Sequence, residues 1–302
     1  MSRILDGVTI ARQIKAEVAA RVAELKNRGI QPGLAAVLVG DNPASGVYVR
    51  NKVQACADLG LYSRKLDLPA VISTKELLDQ ICFLNKDDSI DGILVQLPLP
   101  TQIDSRLILS AVDPQKDVDG FHPENVGKLC ANIPGLRPCT PVGIMEMLRR
   151  EAIAVQGKEA VVVGRSDIVG KPLALLLLHQ NATVTVCHSK TAELPGVCRR
   201  ADLLFAAIGR AGFIGPDFVK PGVVLVDVGM NRVTNQSQAE KFFAGTKRIE
   251  EFQTKGSVLM GDIDPRAYGV AAAYTPVPGG VGPLTIAMLM SNTAQAAAAR
   301  RA

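Results

Sequence analysis

The sequence predicts an α/β protein in which two parallel-sheet domains follow one another along the chain. Short apolar runs recur between segments whose apolar residues have helical spacing. Such continuous runs are typical of strands buried on both faces, and their alternation with helices favours a parallel, helix-covered sheet. At 302 residues, of which 47% are apolar and 21% charged, the chain is long enough to form two domains with separate cores.

The first part of the chain alternates helices with buried strands. Helical spacing is found in three segments, at residues 8–28, 44–59 and 74–85. Strand-like apolar runs are found at residues 34–39, 63–67 and 92–97. Ser73 or Thr74 is the predicted cap of the third helix. Residues 113–141 are rich in proline and glycine, which predicts a loop at the edge of a domain.

The second part resumes the same alternation after a predicted helix over residues 141–150. Strands are predicted at residues 160–163, 183–187, 203–207 and 223–228, and a further helix begins at Gly170. A proline- and glycine-rich loop at 276–283 leads into an apolar helix over 284–299, which we expect to pack on the first domain. The predicted domains are residues 1–140 with 284–302, and residues 141–283, with a cleft between them.

Composition excludes several classes of protein. The net charge of +5 is dispersed and aromatic residues make up only 4%, which argues against nucleic-acid binding. No apolar run is long enough to span a bilayer, and the first residues lack a secretory pattern, so no membrane partner and a cytoplasmic location are expected. The six cysteines form no C-x-x-C pair, which favours buried, reduced thiols and no metal site.

The stretch VVVGRSDIVGKP, at residues 161–172, predicts a phosphate site. An apolar strand ends at Gly164 and turns into a helix, so that backbone N–H groups and the helix dipole face the turn. Arg165, Ser166, Val169 and Gly170 complete the candidate cofactor-binding turn. Its spacing departs from G-x-G-x-x-G, since serine replaces the second glycine, and the motif alone is therefore a weak dinucleotide signature.

The residues after the next predicted strand favour NADP over NAD. An NAD-selective site normally has an acidic residue here for the ribose hydroxyls. This chain has His188, Ser189 and Lys190 instead, and Arg165 adds a second cation for a 2′-phosphate. Taken singly, His188 is equally consistent with a surface histidine and Lys190 with a solvated charge.

Tyr48 and Lys52 are the first candidates for chemistry. At i and i+4 they share one face of a predicted helix, where a lysine near an apolar wall can transfer protons and a tyrosine ring can stack on a ligand. A solvated lysine beside a half-buried tyrosine is the open alternative. Short-chain dehydrogenases use a similar pair, but theirs follows the cofactor turn, whereas this pair precedes it.

Three further features are ambiguous when taken alone. Gln96 ends a buried strand before Pro98, where open α/β sheets bind ligands, but a glutamine there also satisfies loop backbone. Asp119 in Asp-Gly is either ordinary turn chemistry or an acceptor for amidine-like N–H groups. The glycines of residues 276–283 allow close approach of a ligand to the backbone, or they belong to an interdomain linker.

Together these motifs resemble one family, the bifunctional methylenetetrahydrofolate dehydrogenase/cyclohydrolases. The resemblance covers nearly the whole chain in the same order: YVRNK at 48–52, DGILVQLPLP at 91–100, KDVDGFHPENVGKL at 116–129, PCTPVG at 138–143, GRSDIVGKP at 164–172 and PVPGGVGPLT at 276–285. It implies a catalytic folate-binding first domain and a Rossmann-like NADP-binding second domain. It also implies oxidation of 5,10-methylene-tetrahydrofolate with NADP, followed by hydrolysis to 10-formyl-tetrahydrofolate, and a homodimer.

The resemblance also implies residue roles. Lys52 is the main catalytic group, most useful when neutral or when it shares a proton with Gln96, which orients it. Tyr48 stacks on the folate, and Asp119 anchors the pterin N–H groups. The implied substrate-binding residues are Tyr48, Gln96, Leu97, Pro98, Asp119, Pro278, Gly279 and Gly280. Thr285 is implied to bind the cofactor.

Two other classes of function stay open from the residues. One is another NADP-linked enzyme, similar to shikimate or amino-acid dehydrogenases. The other is a binding protein for folate or nucleotides without turnover, against which the set Tyr48, Lys52, Gln96 and Asp119 argues.

Overall fold

The computed structural model describes residues 2–301, which divide into two compact units. We name them by their main sheets. The six-strand unit comprises residues 2–10 and 140–284, and the three-strand unit comprises residues 11–139 and 285–301. The main sheets of both units are parallel, which confirms the predicted α/β class.

Up to residue 139 the strands and helices alternate in chain order. The strands are β1 (Arg3–Ile4), β2 (Gly33–Val39), β3 (Tyr62–Leu68) and β4 (Gly92–Val95). The helices are α1 (Gly7–Asn27), α2 (Pro43–Leu59), α3 (Thr74–Lys86), α4 (Ser105–Ala111) and α5 (Pro123–Cys130).

From residue 139 onward the alternation continues with shorter elements. The strands are β5 (Glu159–Val163), β6 (Thr183–Cys187), β7 (Leu203–Ala206), β8 (Val224–Asp227), β9 (Asn231–Val233), β10 (Val258–Met260) and β11 (Ala273–Tyr274). The helices are α6 (Cys139–Arg150), α7 (Gly170–His179), α8 (Leu194–Cys198), α9 (Gln236–Phe243), α10 (Lys247–Lys255) and α11 (Val281–Arg300).

The main sheet of the six-strand unit has the order β1-β11-β8-β7-β5-β6 within the described residues. Strand β5 lies between β6 and β7, and Val163 at its end is in register with Cys187 of β6 and Ala206 of β7. The chain therefore leaves three neighbouring strands at the same edge. In doubly wound sheets, ligands bind at this edge where the strand order reverses.

Residues 2–10 belong to the six-strand unit, although the sequence analysis groups them with the first domain. Their two-residue strand β1 pairs in parallel with β11, and Arg3 and Leu5 donate backbone hydrogen bonds to Ala272 and Tyr274. Both residues of β1 are exposed, so the strand carries no apolar pattern from which its partner can be predicted.

A small antiparallel pair, β9 and β10, lies in the same unit with helices α9 and α10. It has its own apolar cluster, formed by Val233, Ala239, Phe243, Phe252, Val258 and Met260. Apolar periodicity does not predict these strands and helices, because the strands are three residues long and the helices carry many polar residues.

The three-strand unit is built around β2, which is buried over its full length between β3 and β4. Helix α3 begins with the capping box of Ser73 and Glu76, which settles the predicted cap in favour of Ser73. Residues 285–301 of α11 also belong to this unit. A Cβ on Gly92 of β4 would lie 3.2 Å from Thr293 Oγ1, so the helix and strand are closely packed.

Two sequence-based predictions are wrong. Residues 113–141 are not all loop, because α5 starts inside them, with Pro123 in its first turn and His122 Nδ1 accepting the Glu124 N–H. Not all six cysteines are buried, since Cys82 and Cys130 are exposed.

Within residues 2–301, no helix combines the length and apolarity that crossing a membrane requires.

The end of α11 is attached to the sheet through Asp91. This carboxylate is fully buried and accepts hydrogen bonds from the Gly33 N–H at 3.0 Å and from Arg300 Nη1 at 2.7 Å. Arg301 adds two bonds of 2.9 Å. Burial raises the pKa of Asp91, and the N–H group and the two arginines oppose that shift. Arg300 and Arg301 at the end of α11 are thus fixed by ion pairs with a buried carboxylate.

We expect Asp91→Ala to lower the free energy of unfolding of the three-strand unit by about 3 kcal/mol, because it leaves buried donors without a partner. Urea unfolding measures the loss, and hydrogen exchange of the β2 and β4 amides localises it. The matched control is Lys128→Ala, which removes an exposed pair with Glu124 and is expected to cost less than about 1 kcal/mol. Equal losses in the two variants would contradict the role given to Asp91.

Candidate active site and cofactor site

Lys52 and Gln96 lie together in the three-strand unit. Lys52, on α2, is only 8% exposed, and its Nζ donates a hydrogen bond of 3.0 Å to Gln96 Oε1. The Gln96 Nε2 in turn donates to the Leu97 carbonyl at 2.7 Å, which fixes which end of the amide faces the lysine. Residue Pro98 follows through a cis peptide bond. The lysine is therefore held in one orientation by a side chain that is itself held.

Tyr48 shares the α2 face with Lys52, one helical turn before it. The ring is 36% exposed, and partial burial raises the pKa of its hydroxyl. A half-exposed ring beside a nearly buried lysine offers a flat surface against which a planar ligand can stack.

Asp119 lies near Lys52. It follows Asp117, which forms an isolated parallel β-bridge with Ile93 of β4. Burial raises the pKa of Asp119 to about 6, Lys52 lowers it and Asp117 raises it further. Among the described residues the Asp119 carboxylate accepts no hydrogen bond. Its oxygens are therefore open to a ligand that carries N–H donors.

The loop that carries Asp119 is fixed on both sides. The Asp117 carboxylate accepts the His122 N–H at 2.8 Å and the Asn125 amide at 2.9 Å. Gly120 has a φ of +71°, and a Cβ there would lie 2.5 Å from the Arg137 carbonyl carbon. An ordinary turn is one of the two interpretations of the Asp119-Gly120 pair, and the positive φ of Gly120 does require glycine at this turn.

In the six-strand unit, the turn after β5 is tightly packed. Gly164 has a φ of +132°, and a Cβ on it would lie 2.2 Å from the Ala207 carbonyl oxygen. The Ser166 hydroxyl oxygen accepts the N–H groups of Val169 and Gly170 at 3.2 and 3.3 Å. Serine in place of the second glycine thus engages the N–H groups of Val169, the N-cap residue of α7, and of Gly170, the first residue of that helix.

The segment after β6 leaves the sheet beside this turn, since the Gly164 N–H donates to the Cys187 carbonyl at 2.9 Å. The His188 Nδ1 accepts the Lys190 N–H at 3.1 Å, so the imidazole shapes the turn. Arg165, Ser189 and Lys190 are exposed. The structure thus places a cation and a hydroxyl on neighbouring strand ends, and their contact with a 2′-phosphate stays a prediction.

Sequence reasoning misses Asp262, which orders the loop after β7. Its carboxylate is fully buried and accepts N–H groups from Ile208, Gly209 and Arg210 at 2.7 to 2.9 Å. This loop leaves the sheet next to Gly164, where Ala207 contacts the turn. Asp262 lies more than 50 residues from these amides, so no local motif indicates the contact.

The remaining predicted residues lie at the start of α11. Pro278, Gly279 and Gly280 belong to the six-strand unit, and Thr285 to the three-strand unit. Gly280 has no room for a side chain, because a Cβ there would lie 2.6 Å from the Pro276 oxygen. Contact of these four residues with a ligand stays a prediction.

Comparison with known families matches both parts of the chain. Residues 5–119 match the catalytic domain of tetrahydrofolate dehydrogenase/cyclohydrolase, and residues 138–301 match its NAD(P)-binding domain. The chain is 62% identical to the bifunctional protein FolD of Koribacter versatilis over 302 residues, which covers all of this chain and 98% of the relative. It is 57% identical to the FolD protein of Solibacter usitatus, covering all of this chain and 99% of that one.

Solved structures are similar over the whole chain. The bifunctional FolD methylenetetrahydrofolate dehydrogenase/cyclohydrolase of Campylobacter jejuni is 44% identical, with a TM-score of 0.90 over 99% of this chain and all of that one. The Trypanosoma brucei N5,N10-methylenetetrahydrofolate dehydrogenase-cyclohydrolase, solved with NADP cofactor and an inhibitor, is 36% identical. Its TM-score is 0.89, over all of this chain and 99% of that one.

We expect the Asp119 carboxyl to titrate near pH 6, measured by ¹³C NMR of aspartate carboxyls, with Asp119→Asn to assign the resonance. Since Lys52 lowers this pKa, Lys52→Met should raise it, whereas Lys52→Arg should leave it closer to the wild-type value. A titration near the ordinary aspartate value in both the wild type and Lys52→Met would contradict the described electrostatics.

Proposed function

Because the chain belongs to the tetrahydrofolate dehydrogenase/cyclohydrolase family, we propose that Lys52, held by Gln96, is the catalytic group of a bifunctional enzyme. The protein oxidises 5,10-methylene-tetrahydrofolate to the 5,10-methenyl form with NADP, and then hydrolyses that product to 10-formyl-tetrahydrofolate. The observation that carries the proposal is the hydrogen bond from the Lys52 Nζ to Gln96 Oε1.

The two reactions place different demands on Lys52. Loss of a hydride leaves a cation delocalised over two nitrogens and the carbon between them. A fixed positive charge beside that carbon would oppose its formation, so Lys52 serves this step best when it is neutral or shares its proton with Gln96. The Gln96 Oε1 accepts a hydrogen bond from the Lys52 Nζ and so holds the lysine side chain in one place. In hydrolysis, a water must be oriented and lose a proton as it attacks the same carbon. A restrained lysine amine can accept that proton.

Asp119 and Tyr48 are proposed to bind the substrate. A pterin ring presents adjacent N–H donors, and the Asp119 carboxylate has acceptor capacity that no described residue uses. Its charge favours a ligand with N–H donors and also the cation formed by oxidation. Tyr48 offers its exposed ring for stacking from the same helix face as Lys52. Leu97 and Pro98 adjoin Gln96 and are proposed to contact the same ligand.

The residues at the carboxyl ends of β5 and β6 fit NADP. Gly164 lets the chain turn sharply at the end of β5, because a Cβ there would meet the Ala207 backbone. Arg165, Ser189 and Lys190 supply the cations and hydroxyl that suit a 2′-phosphate. When bound, NADP supplies the acceptor for the hydride.

A homodimer and a cytoplasmic location are further proposals. Both are supported by the family to which the chain belongs, and light scattering of the purified protein tests the first.

We expect Lys52→Met to lower the rate of methenyl-tetrahydrofolate hydrolysis by at least about 100-fold, the low end of general-base effects, while the Kd for NADP stays near the wild-type value. Loss of methenyl absorbance in the absence of NADP measures the rate. The control Lys65→Met changes a more exposed lysine that pairs with Asp67 on β3. Unchanged hydrolysis in Lys52→Met would refute the catalytic role.

We expect a much lower KM for NADP than for NAD. Arg165→Ala should raise the KM for NADP by roughly tenfold to a hundredfold, because a charge-assisted hydrogen bond contributes about 1.5–3 kcal/mol, and should change the KM for NAD little. Initial rates at 340 nm measure both constants. Lys158→Ala, which removes an exposed cation just before the start of β5, should change neither. Equal constants for NADP and NAD in the wild type would contradict the phosphate assignment.

A further inference from the structure

Asn292 of α11 contacts two segments of the three-strand unit that lie far from it in sequence. This side chain is only 6% exposed. Its Nδ2 lies 2.8 Å from the Val118 oxygen and 3.0 Å from the Arg137 oxygen. An amide nitrogen carries two hydrogens, so one is available for each carbonyl. The helix thereby joins the residue before Asp119 to the segment that leads into α6.

Cys139 strengthens the same junction. Its thiol donates to the Val118 oxygen at 3.2 Å, and its sulfur lies 3.5 Å from Asn292 Nδ2. Burial raises the pKa of this thiol well above its usual value, which keeps the S–H available as a donor. The Val118 carbonyl is thus held by two donors at once.

The contact affects Asp119 through its backbone. Among the described residues, no hydrogen bond holds the Asp119 carboxylate, so its place depends on the chain on either side. On one side, Val118 is held by Asn292 and Cys139. On the other side, Gly120 lies against the backbone of Arg137, which the same asparagine binds. Loss of the amide therefore removes one of the two donors to Val118 and the donor to Arg137, which weakens the anchoring on both sides of Asp119.

We propose that Asn292 is a positioning residue for folate binding, which acts by holding Asp119 where its carboxylate meets the substrate. This inference rests on the proposed role of Asp119 in binding the pterin ring. Asn292 is nearly buried and donates to two backbone carbonyls, so it is proposed to act through Asp119. It holds the backbone beside the Asp119 carboxylate, an acceptor that has no hydrogen-bonding partner among the described residues.

The test uses Asn292→Leu, which keeps the number and branching of the side-chain heavy atoms and lacks the donor. We expect the KM for 5,10-methylene-tetrahydrofolate to rise about tenfold and the Kd for NADP to stay within twofold. The matched control is Thr293→Val, because the Thr293 hydroxyl is buried on the same helix and donates only to the Leu289 oxygen of that helix. This control should leave the KM for the folate unchanged. Asn292→Ser, which also cannot span to Val118, provides a second variant if the leucine variant does not fold.

A double-mutant cycle with Asp119→Asn distinguishes positioning from a general structural effect. If Asn292 acts through Asp119, Asn292→Leu adds little to the KM of Asp119→Asn. Multiplied effects in the double variant, or an unchanged folate KM in both Asn292 variants, would overturn the inference while leaving the role of Asp119 intact. An unchanged folate KM in Asp119→Asn alone would instead overturn the proposed role of Asp119, and the inference with it.

Discussion

A nearly buried lysine side chain needs a polar partner, and the three-strand unit supplies Gln96 to Lys52. Gln96 can reach the lysine because β4 is paired with β2, and the Gln96 N–H itself donates to the Val37 carbonyl at the end of that pairing. Burial and Lys52 act in opposite directions on Asp119, which leaves its pKa near 6 rather than far above it. Lys52 and Asp119 therefore lie close enough to interact electrostatically, although no direct ion pair joins them among the described residues.

In the six-strand unit, the candidate cofactor site likewise lies where neighbouring parallel strands end. Parallel strands end at one edge, so the segments after β5, β6 and β7 meet there although they are distant in sequence. Gly164 permits the close contact with Ala207, and Asp262 holds the next three amides in place. A rigid edge of this kind suits a bound cofactor, because the backbone that lines it is ordered before the ligand arrives.

Periodicity predicts most of this fold because the strands are buried and the helices are long. Periodicity fails for β1, which is defined only by its pairing with β11. It also fails for α5, because that helix starts at Pro123 in a segment rich in proline and glycine. The site was harder to predict. Lys52 and Gln96 are 44 residues apart, and no pattern in either segment indicates their contact, so only the family resemblance paired them. Asn292 shows the other limit, since its hydrogen-bond partners, Val118 and Arg137, lie far from it in sequence and follow from tertiary geometry.

The central claim is that Lys52 and Gln96 work as one catalytic unit, and a double-mutant cycle on hydrolysis tests it most directly. Single-turnover decay of methenyl-tetrahydrofolate, followed without NADP, is measured in Lys52→Met, Gln96→Met and the double variant. If Gln96 acts by orienting Lys52, the double variant is no slower than Lys52→Met alone. Losses that multiply in the double variant would contradict the claim, because they would mean that each residue contributes independently of their hydrogen bond.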